Sequence, residues 1–191
     1  MLKQASLLVL LVVTNLSMNA FASESATDSV SEKTLMEDVW TEDISDLEKK
    51  FETTTKNDLS HARCTMGYTI LHHAAVMANI PMLELIVKNW VRHGLNLDEL
   101  AGRRGSTPSH SALQLLNKNT PEVLKTLKNA GATADIQRGI DKKSPLQLVE
   151  EKIEAKQKLI STEENEDNLV KLKSELEILE QSKIVLTSTQ K

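Results

Sequence analysis

Apolar side chains recur along the middle of the chain at the three- and four-residue spacing of an amphipathic helix. The clearest run occupies positions i, i+3, i+4 and i+7 of one helical face: Leu83, Ile86, Val87 and Trp90. A shorter run of small apolar residues precedes it at 71–78, and a similar pair of runs follows at 108–117 and 121–130. No segment alternates apolar and polar residues for long enough to indicate a sheet. The pattern predicts an all-α protein built from helix–turn–helix units.

Proline and glycine mark where these helices begin and end. All four prolines precede an amphipathic run, and three of them follow Thr or Ser: Pro81, Pro108, Pro121 and Pro145. A Ser or Thr N-cap followed by Pro at the first helical position is a favoured helix start. Gly94 and Gly131 lie just beyond two runs, where a helix-terminating glycine is favoured. These residues predict the helix boundaries.

Helical patterns also flank the central region. Apolar residues between 35 and 51 predict two short helices that separate near Thr41, the second capped by Asp43 or Ser45. In the C-terminal part, a long helical pattern is interrupted at 161–167 and resumes with leucines spaced as in a coiled-coil seam. Two interpretations stay open: a hairpin that folds back as a cap, or a helix through which the chain self-associates.

The N-terminus has the features of a secretory signal peptide. Lys3 supplies a basic start, residues 7–13 form an apolar core, and Ala20-Phe21-Ala22 is a small-x-small cleavage site. We therefore expect residues 1–22 to be removed, leaving 23–33 as a flexible leader and no stable membrane span. An uncleaved anchor is the alternative, but the apolar run is short for a span of about 20 residues. The prediction is an exported protein, periplasmic or secreted.

Composition narrows the classes of partner. The chain of 191 residues has 23 Lys and Arg against 27 Asp and Glu. This mild acidity argues against nucleic acid as the main partner. Cys64 is the single cysteine, so the chain cannot form an internal disulfide.

Degenerate copies of one motif recur at nearly constant spacing. The copies are Gly67-Tyr68-Thr69-Ile70-Leu71-His72-His73-Ala74-Ala75, then Gly105-Ser106-Thr107-Pro108-Ser109-His110-Ser111-Ala112-Leu113, and finally Ser144-Pro145-Leu146. From Thr69 to Thr107 is 38 residues, and from Thr107 to Ser144 is 37. A period in this range is typical of stacked-repeat proteins.

The motif resembles the ankyrin repeat, whose signature centres on Thr-Pro-Leu-His-x-Ala. The resemblance implies an ankyrin-like helix–turn–helix solenoid of three to four repeats over residues 34–160. Residues 161–191 would then form a C-terminal helix that completes a hairpin cap or a short coiled coil. The period exceeds the family's roughly 33 residues by about one helical turn. We therefore predict longer helices and not irregular bulges.

Candidate chemistry is sparse. The resemblance implies that His72 and His110 are structural, each ring hydrogen-bonding between neighbouring turns. The other histidines form no i, i+4 ligand pair, and nothing around Cys64 resembles a protease signature. Acidic pairs lie in polar segments, and no phosphate-cradling glycine loop is present. We expect no metal, no cofactor and no enzymatic activity.

The resemblance implies that a protein partner binds the loops between repeats and the inner helices. The expected contact residues are Met66, Tyr68, Met77, Arg103, Arg104, Ser106, Gln114, Asp141, Lys142 and Lys143. With Arg138, the basic members would form a ridge that docks an acidic surface. Loop charges that merely keep the protein soluble are the alternative. The expected function is thus protein binding, with self-assembly through the C-terminal helices or action on host proteins as a bacterial effector as alternatives.

Overall fold

The computed structural model describes residues 35–189, in which the regular secondary structure is helical, with two isolated β-bridges and no strand. The expected signal peptide and leader lie outside the described residues. In chain order the helices are α1 (35–41), α2 (Ile44–Phe51), α3 (Lys56–His61), α4 (Ile70–Met77), α5 (Ile80–Arg92), α6 (Pro108–Ala112), α7 (Thr120–Asn129), α8 (Pro145–Ile160) and α9 (Glu166–Thr187). The predicted all-α class is confirmed for this part of the chain.

The helix starts follow the local chemistry of the sequence. Thr69, Thr107 and Ser144 are the N-caps of α4, α6 and α8, and each side-chain oxygen accepts the backbone N–H three residues on. Asp43 caps α2 in the same way, at 2.9 Å from the amide of Asp46. The start of α7 differs from the prediction. Its N-cap is Asn119, because the hydroxyl of Thr120 accepts from the amide of Asn117 instead.

The predicted glycine stops are confirmed. Gly94 and Gly131 follow α5 and α7 with φ of 62° and 112°, a region that a residue with a Cβ rarely adopts. The next amide reaches back to a carbonyl of the last turn in both cases, from Leu95 to Trp90 and from Ala132 to Leu127, each at 3.0 Å.

The predicted lengthening of the helices is wrong in the second unit. Helix α6 has 5 residues and ends at Ala112, whereas the pattern predicted helix to residue 117. Serine and asparagine compete for backbone hydrogen bonds and so favour turns over helix interiors. Here Asn119 donates its side-chain amide to the carbonyl of Ala78 at 3.1 Å, which ties this turn to the one after α4. The extra residues therefore lie in a loop.

The helices pack in pairs, and neighbouring pairs pack on one another. Helix α4 contacts α5 and α6, while α7 contacts α5 and α6, and α6 also contacts α8. Fully buried side chains from these helices form one continuous core, including Trp90, Leu71, Leu83, Ile86, Leu113, Leu124 and Leu127. Trp90 is fully buried, and its indole N–H donates to the carbonyl of Asn96 at 3.0 Å. The ring is thus buried with its polar atom satisfied.

The C-terminal helices form an antiparallel hairpin that lies on the repeat-like region. Ion pairs join Lys156 to Glu175 and Lys183 to Glu150, so residue numbers rise on one helix as they fall on the other. Helix α9 also packs on α7, and Leu186 belongs to the common core. None of the helices within 35–189 is both long enough and apolar enough to cross a membrane.

Candidate functional site

Three tight loops precede α4, α6 and α8 and lie next to one another. The first two close with antiparallel bridges, Arg63 to Thr69 and Ala101 to Ser106. The third closes with a hydrogen bond from the amide of Arg138 to the carbonyl of Lys143 at 3.0 Å. Successive loops are joined by backbone hydrogen bonds across residues 67–102 and 105–139, at 3.3 and 3.0 Å. These hydrogen bonds position the loops next to one another, and each loop leads into a helix start.

His72 links the first loop to the second. Its Nε2 lies 2.8 Å from the carbonyl of Ser106, and its Nδ1 lies 2.7 Å from the hydroxyl of Thr69. Because a carbonyl only accepts, Nε2 carries a proton; burial keeps the ring neutral, so Nδ1 accepts from the Thr69 hydroxyl. Burial lowers the pKa of His72 to about 4, with a smaller opposing effect from the Ser106 carbonyl.

His110 repeats the arrangement one unit later. Its Nδ1 lies 2.8 Å from the hydroxyl of Thr107, and its Nε2 lies 2.8 Å from the carbonyl of Lys143. Burial lowers the pKa of this ring as well. The predicted structural role of His72 and His110, bridging neighbouring turns, is confirmed.

A pocket of about 130 Å³ opens beside these loops, between α4 and α6. We call it the α4–α6 pocket; it is lined by Met66, Tyr68, His72, His73, Val76, Ser111 and Gln114. None of these side chains is an acid, a lysine or an arginine. Apolar walls with a few convergent polar groups are typical of ligand-binding pockets.

Two polar atoms of the pocket lining are buried without a hydrogen-bond partner in the described part of the chain. They are Nε2 of His73 and Oγ of Ser111. Ser111 is 1 % exposed. Burial lowers the pKa of His73, so its ring is neutral near pH 7. Buried polar atoms are nearly always hydrogen-bonded, so these two atoms are exceptions, and both are closed off from the open space of the pocket.

An aromatic cluster continues from the pocket towards α1. The rings of Tyr68 and His73 meet edge to face with centroids 6.3 Å apart, and Tyr68 is 5.6 Å from His72. Trp40 meets His73 edge to face at 5.9 Å and stays 56 % exposed. The Tyr68 ring also lies against Gly102. The cluster is partly open, as at protein-binding surfaces.

The structure brings together some of the predicted contact residues. Met66, Tyr68 and Gln114 all line the α4–α6 pocket. Met77 is half-buried, packs against the core and does not line the pocket. Ser106 is fully buried, so its expected exposure to a partner is a wrong prediction. Its place in the bridge to Ala101 turns the side chain inward.

The predicted basic ridge is partly neutralised within the chain. Arg138 is buried and pairs with Asp141, which holds the pKa of that carboxyl well below its usual range. Lys143 pairs with Glu151. Arg103, Arg104 and Lys142 remain exposed, and no hydrogen bond or ion pair of their side chains occurs within residues 35–189. The continuous ridge is thus corrected to these three cations, because Arg138 pairs with an acid of its own loop and Lys143 with an acid of α8.

Sequence reasoning missed the pocket residues His73, Val76 and Ser111, and the nearby Trp40. On α4, His73 and Val76 alternate with the buried positions Ile70, Leu71, Ala74 and Ala75. A helical-wheel projection of that helix would have placed the two on its open face. No local pattern could have placed Trp40 there, because it comes from a separate helix.

No metal site and no family relationship emerge around the pocket. Among residues 35–189, no three His, Cys, Asp or Glu side chains are arranged to hold a metal ion. Comparisons of the chain with models of known families, with curated proteins and with solved structures found no significant match.

Proposed function

We propose that the paired helices form an ankyrin-like stack closed by the α8–α9 hairpin. The support is the repetition of one unit, in which Thr caps the helix and His bridges to the next loop. His72 contacts Thr69 and the Ser106 carbonyl, and His110 contacts Thr107 and the Lys143 carbonyl in the same way. Local contacts that repeat from unit to unit are typical of repeat proteins. The hairpin supplies the polar outer face that a terminal unit needs.

We propose that the protein is a non-enzymatic binding module that takes a protein partner on the α4–α6 pocket and the adjoining aromatic cluster. The observation that carries this proposal is the pocket itself, an uncharged cavity with exposed Met66 and Trp40 on or beside its rim. Aromatic residues and methionine are enriched at protein interfaces. Export of the protein stays a prediction from its first 22 residues.

Exposed cations in the second and third loops add a second element of recognition. Arg103, Arg104 and Lys142 lie in the loops of the second and third units. Charged rims mainly steer association and select partners, while apolar centres supply affinity. A partner with an acidic rim around an apolar centre fits this arrangement.

The test is site-specific photo-crosslinking in the native cell, at two positions of matched exposure. Met66 lines the pocket and is 54 % exposed, whereas Val91 lies on α5 outside it and is 50 % exposed. We expect a defined heterologous adduct from a photoreactive residue at 66 and none of that mass at 91. The same adduct should disappear in the Trp40→Ala variant. Equal adducts from both positions, or none from position 66, contradict the proposal.

Self-assembly through α9 is a second candidate. Val170 and Ile184 are 68 % and 67 % exposed, and their separation of 14 positions (184 − 170) places both near one face of the helix. Against it, Leu179, Ser182 and Leu186 of α9 are already buried within the chain. Light scattering on the full chain and on a Val170→Glu, Ile184→Glu double variant distinguishes self-assembly from binding of another protein. A dimer that the variant abolishes favours self-assembly.

A further inference from the structure

The tips of the second and third loops form one exposed surface that carries cations and an apolar side chain. Arg103 and Arg104 lie at the tip of the second loop, and the amide of Ile140 in the third loop donates to the carbonyl of Arg104 at 3.2 Å. Ile140 is 64 % exposed. The three cations of this surface form no ion pair within residues 35–189. We call Arg103, Arg104, Ile140 and Lys142 the basic loop tips.

The turn between α8 and α9 has the opposite charge. Residues 161–170 contain four acids and no lysine or arginine. Glu164, Glu166 and Asp167 are exposed, and none of the three forms an ion pair in the described part of the chain. Leu159 lies in the last turn of α8, just before these acids, and is 51 % exposed. We call Leu159, Glu164, Glu166 and Asp167 the acidic hairpin tip.

The two surfaces cannot meet within one chain. Helix α8 begins directly after the third loop and has 16 residues, so the hairpin tip lies about 24 Å from that loop along the helix. The ion pairs Lys156–Glu175 and Lys183–Glu150 join α8 to α9, and α9 packs on α7, which holds the hairpin in this position. The separation also exceeds the Debye length of about 8 Å at physiological ionic strength. The acidic hairpin tip can therefore reach the basic loop tips only on another copy.

We propose that the acidic hairpin tip of one copy docks on the basic loop tips of a second copy. Opposite charges attract the two surfaces, whereas contacts between two loop surfaces or two hairpin tips are disfavoured by like charges. Leu159 and Ile140 supply an exposed apolar residue on each side. Because the contact is small and charged, association should be weak and sensitive to salt. The inference goes beyond the proposed binding of another protein and does not involve the α4–α6 pocket.

The experiment is light scattering on the mature chain over a wide range of protein concentration, at low and at high salt. We expect the average mass to rise above that of a monomer with concentration at low salt. At high salt the mass should return to that of a monomer, because screening weakens the attraction between exposed charges. A chain that stays monomeric at low salt, or an association that salt does not weaken, overturns the proposal.

Two charge-reversed variants identify the surfaces that meet. One is the double variant Arg103→Glu, Arg104→Glu, and the other is Glu164→Lys, Asp167→Lys. Each alone should associate at least about tenfold more weakly than the wild type. A mixture of the two should associate again, because the unaltered hairpin tip of the first variant can bind the unaltered loop tips of the second. A mixture that stays monomeric refutes the pairing of these two surfaces.

Two controls distinguish this docking from a general charge effect and from pairing through α9. Lys88 and Arg92 are exposed cations of α5, outside the loops. The variant Lys88→Glu, Arg92→Glu makes the same change in net charge and should keep the wild-type association within about twofold. An equal loss in this variant contradicts the proposal. Ile184→Glu alters the end of α9 far from the hairpin tip and should also have no effect; if it abolishes association, the outer face of α9 is the interface.

The docking and the proposed binding of another protein can fail separately. All variants should keep the far-ultraviolet circular dichroism of the wild type, because the substituted side chains are exposed. A heterologous adduct from position 66 without self-association leaves the protein-binding function standing and refutes the docking. Self-association that the mixture restores, without any adduct from position 66, supports the docking and contradicts the protein-binding function.

Discussion

Replacing His72 with glutamine should weaken the fold at neutral pH and also reduce its sensitivity to acid. The ring is 1 % exposed and bridges Thr69 to the carbonyl of Ser106 through two hydrogen bonds. Both polar atoms of the glutamine amide lie at the end of the side chain, so it can replace Nε2 but cannot bind Thr69 and the Ser106 carbonyl together. Losing one such bond and leaving its buried partner unpaired lowers the free energy of unfolding by about 1–3 kcal/mol. We expect a loss in that range at pH 7.

The acid response follows from the pKa of the same ring. Burial lowers the pKa of His72 from 6.5 to about 4 in the folded chain. As the pH falls below 6.5, the unfolded chain takes up this proton first, so stability is lost between the two pKa values. The slope is at most about 1.4 kcal/mol per pH unit. His72 should thus account for a loss of about 2–3 kcal/mol between pH 7 and pH 4.5.

The assay is urea unfolding, followed by far-ultraviolet circular dichroism from pH 7 to pH 4.5 at constant ionic strength. The wild-type free energy of unfolding should fall more steeply with acid than that of His72→Gln. Ile70→Val is the matched control, since it lies two residues away, is also fully buried and has no titrating group. Its expected loss is about 0.5–1.5 kcal/mol, with the wild-type slope. The reasoning fails if His72→Gln keeps the wild-type pH slope.

Three further predictions concern the core, a loop contact and the exposed cations. Gly102→Ala should destabilise the chain by about 1–3 kcal/mol more than Gly94→Ala. Both glycines have positive φ, but of the two only Gly102 would place a Cβ against the ring of Tyr68. Equal losses in chemical denaturation would exclude that contact. Trp90→Phe should lower the free energy of unfolding by about 1–2 kcal/mol, because volume and an indole hydrogen bond are lost from a fully buried site; an unchanged denaturation midpoint would contradict this. Reversing Arg103 and Arg104 to Glu should slow association with the crosslinked partner about tenfold at low salt without changing the melting temperature. Unaltered binding kinetics would indicate that Arg103 and Arg104 only keep the protein soluble.

The accuracy of the sequence predictions depends on the range of the interactions involved. Asp43 could be proposed as a cap because its acceptor lies three residues from the amide that it binds. The length of α6 differs from the prediction, and the turn that follows it is held by a contact from Asn119 to the carbonyl of Ala78, 41 residues away. The apolar pattern at 108–117 contains no trace of that contact.

The candidate site shows the same difference between short-range and long-range interactions. Met66, Tyr68 and Gln114 were proposed as contacts from their place relative to the motif, and they line one pocket. Arg138 was proposed as an exposed cation, yet its pairing with Asp141 depends on how the third loop closes. Trp40 joined the aromatic cluster only because α1 lies near α4 in space.

The sequence alone determined the starts of α4, α6 and α8 and the glycine stops, and the resemblance of its motif implied the bridging role of His72 and His110. Capping and helix termination join atoms within about one helical turn, and the motif repeats carry the bridge from unit to unit. The tertiary structure decided the pocket, its two unpaired polar atoms and the fate of the loop charges. All three features depend on contacts between side chains from helices and loops that are distant in sequence. Such contacts form only when the whole chain packs together.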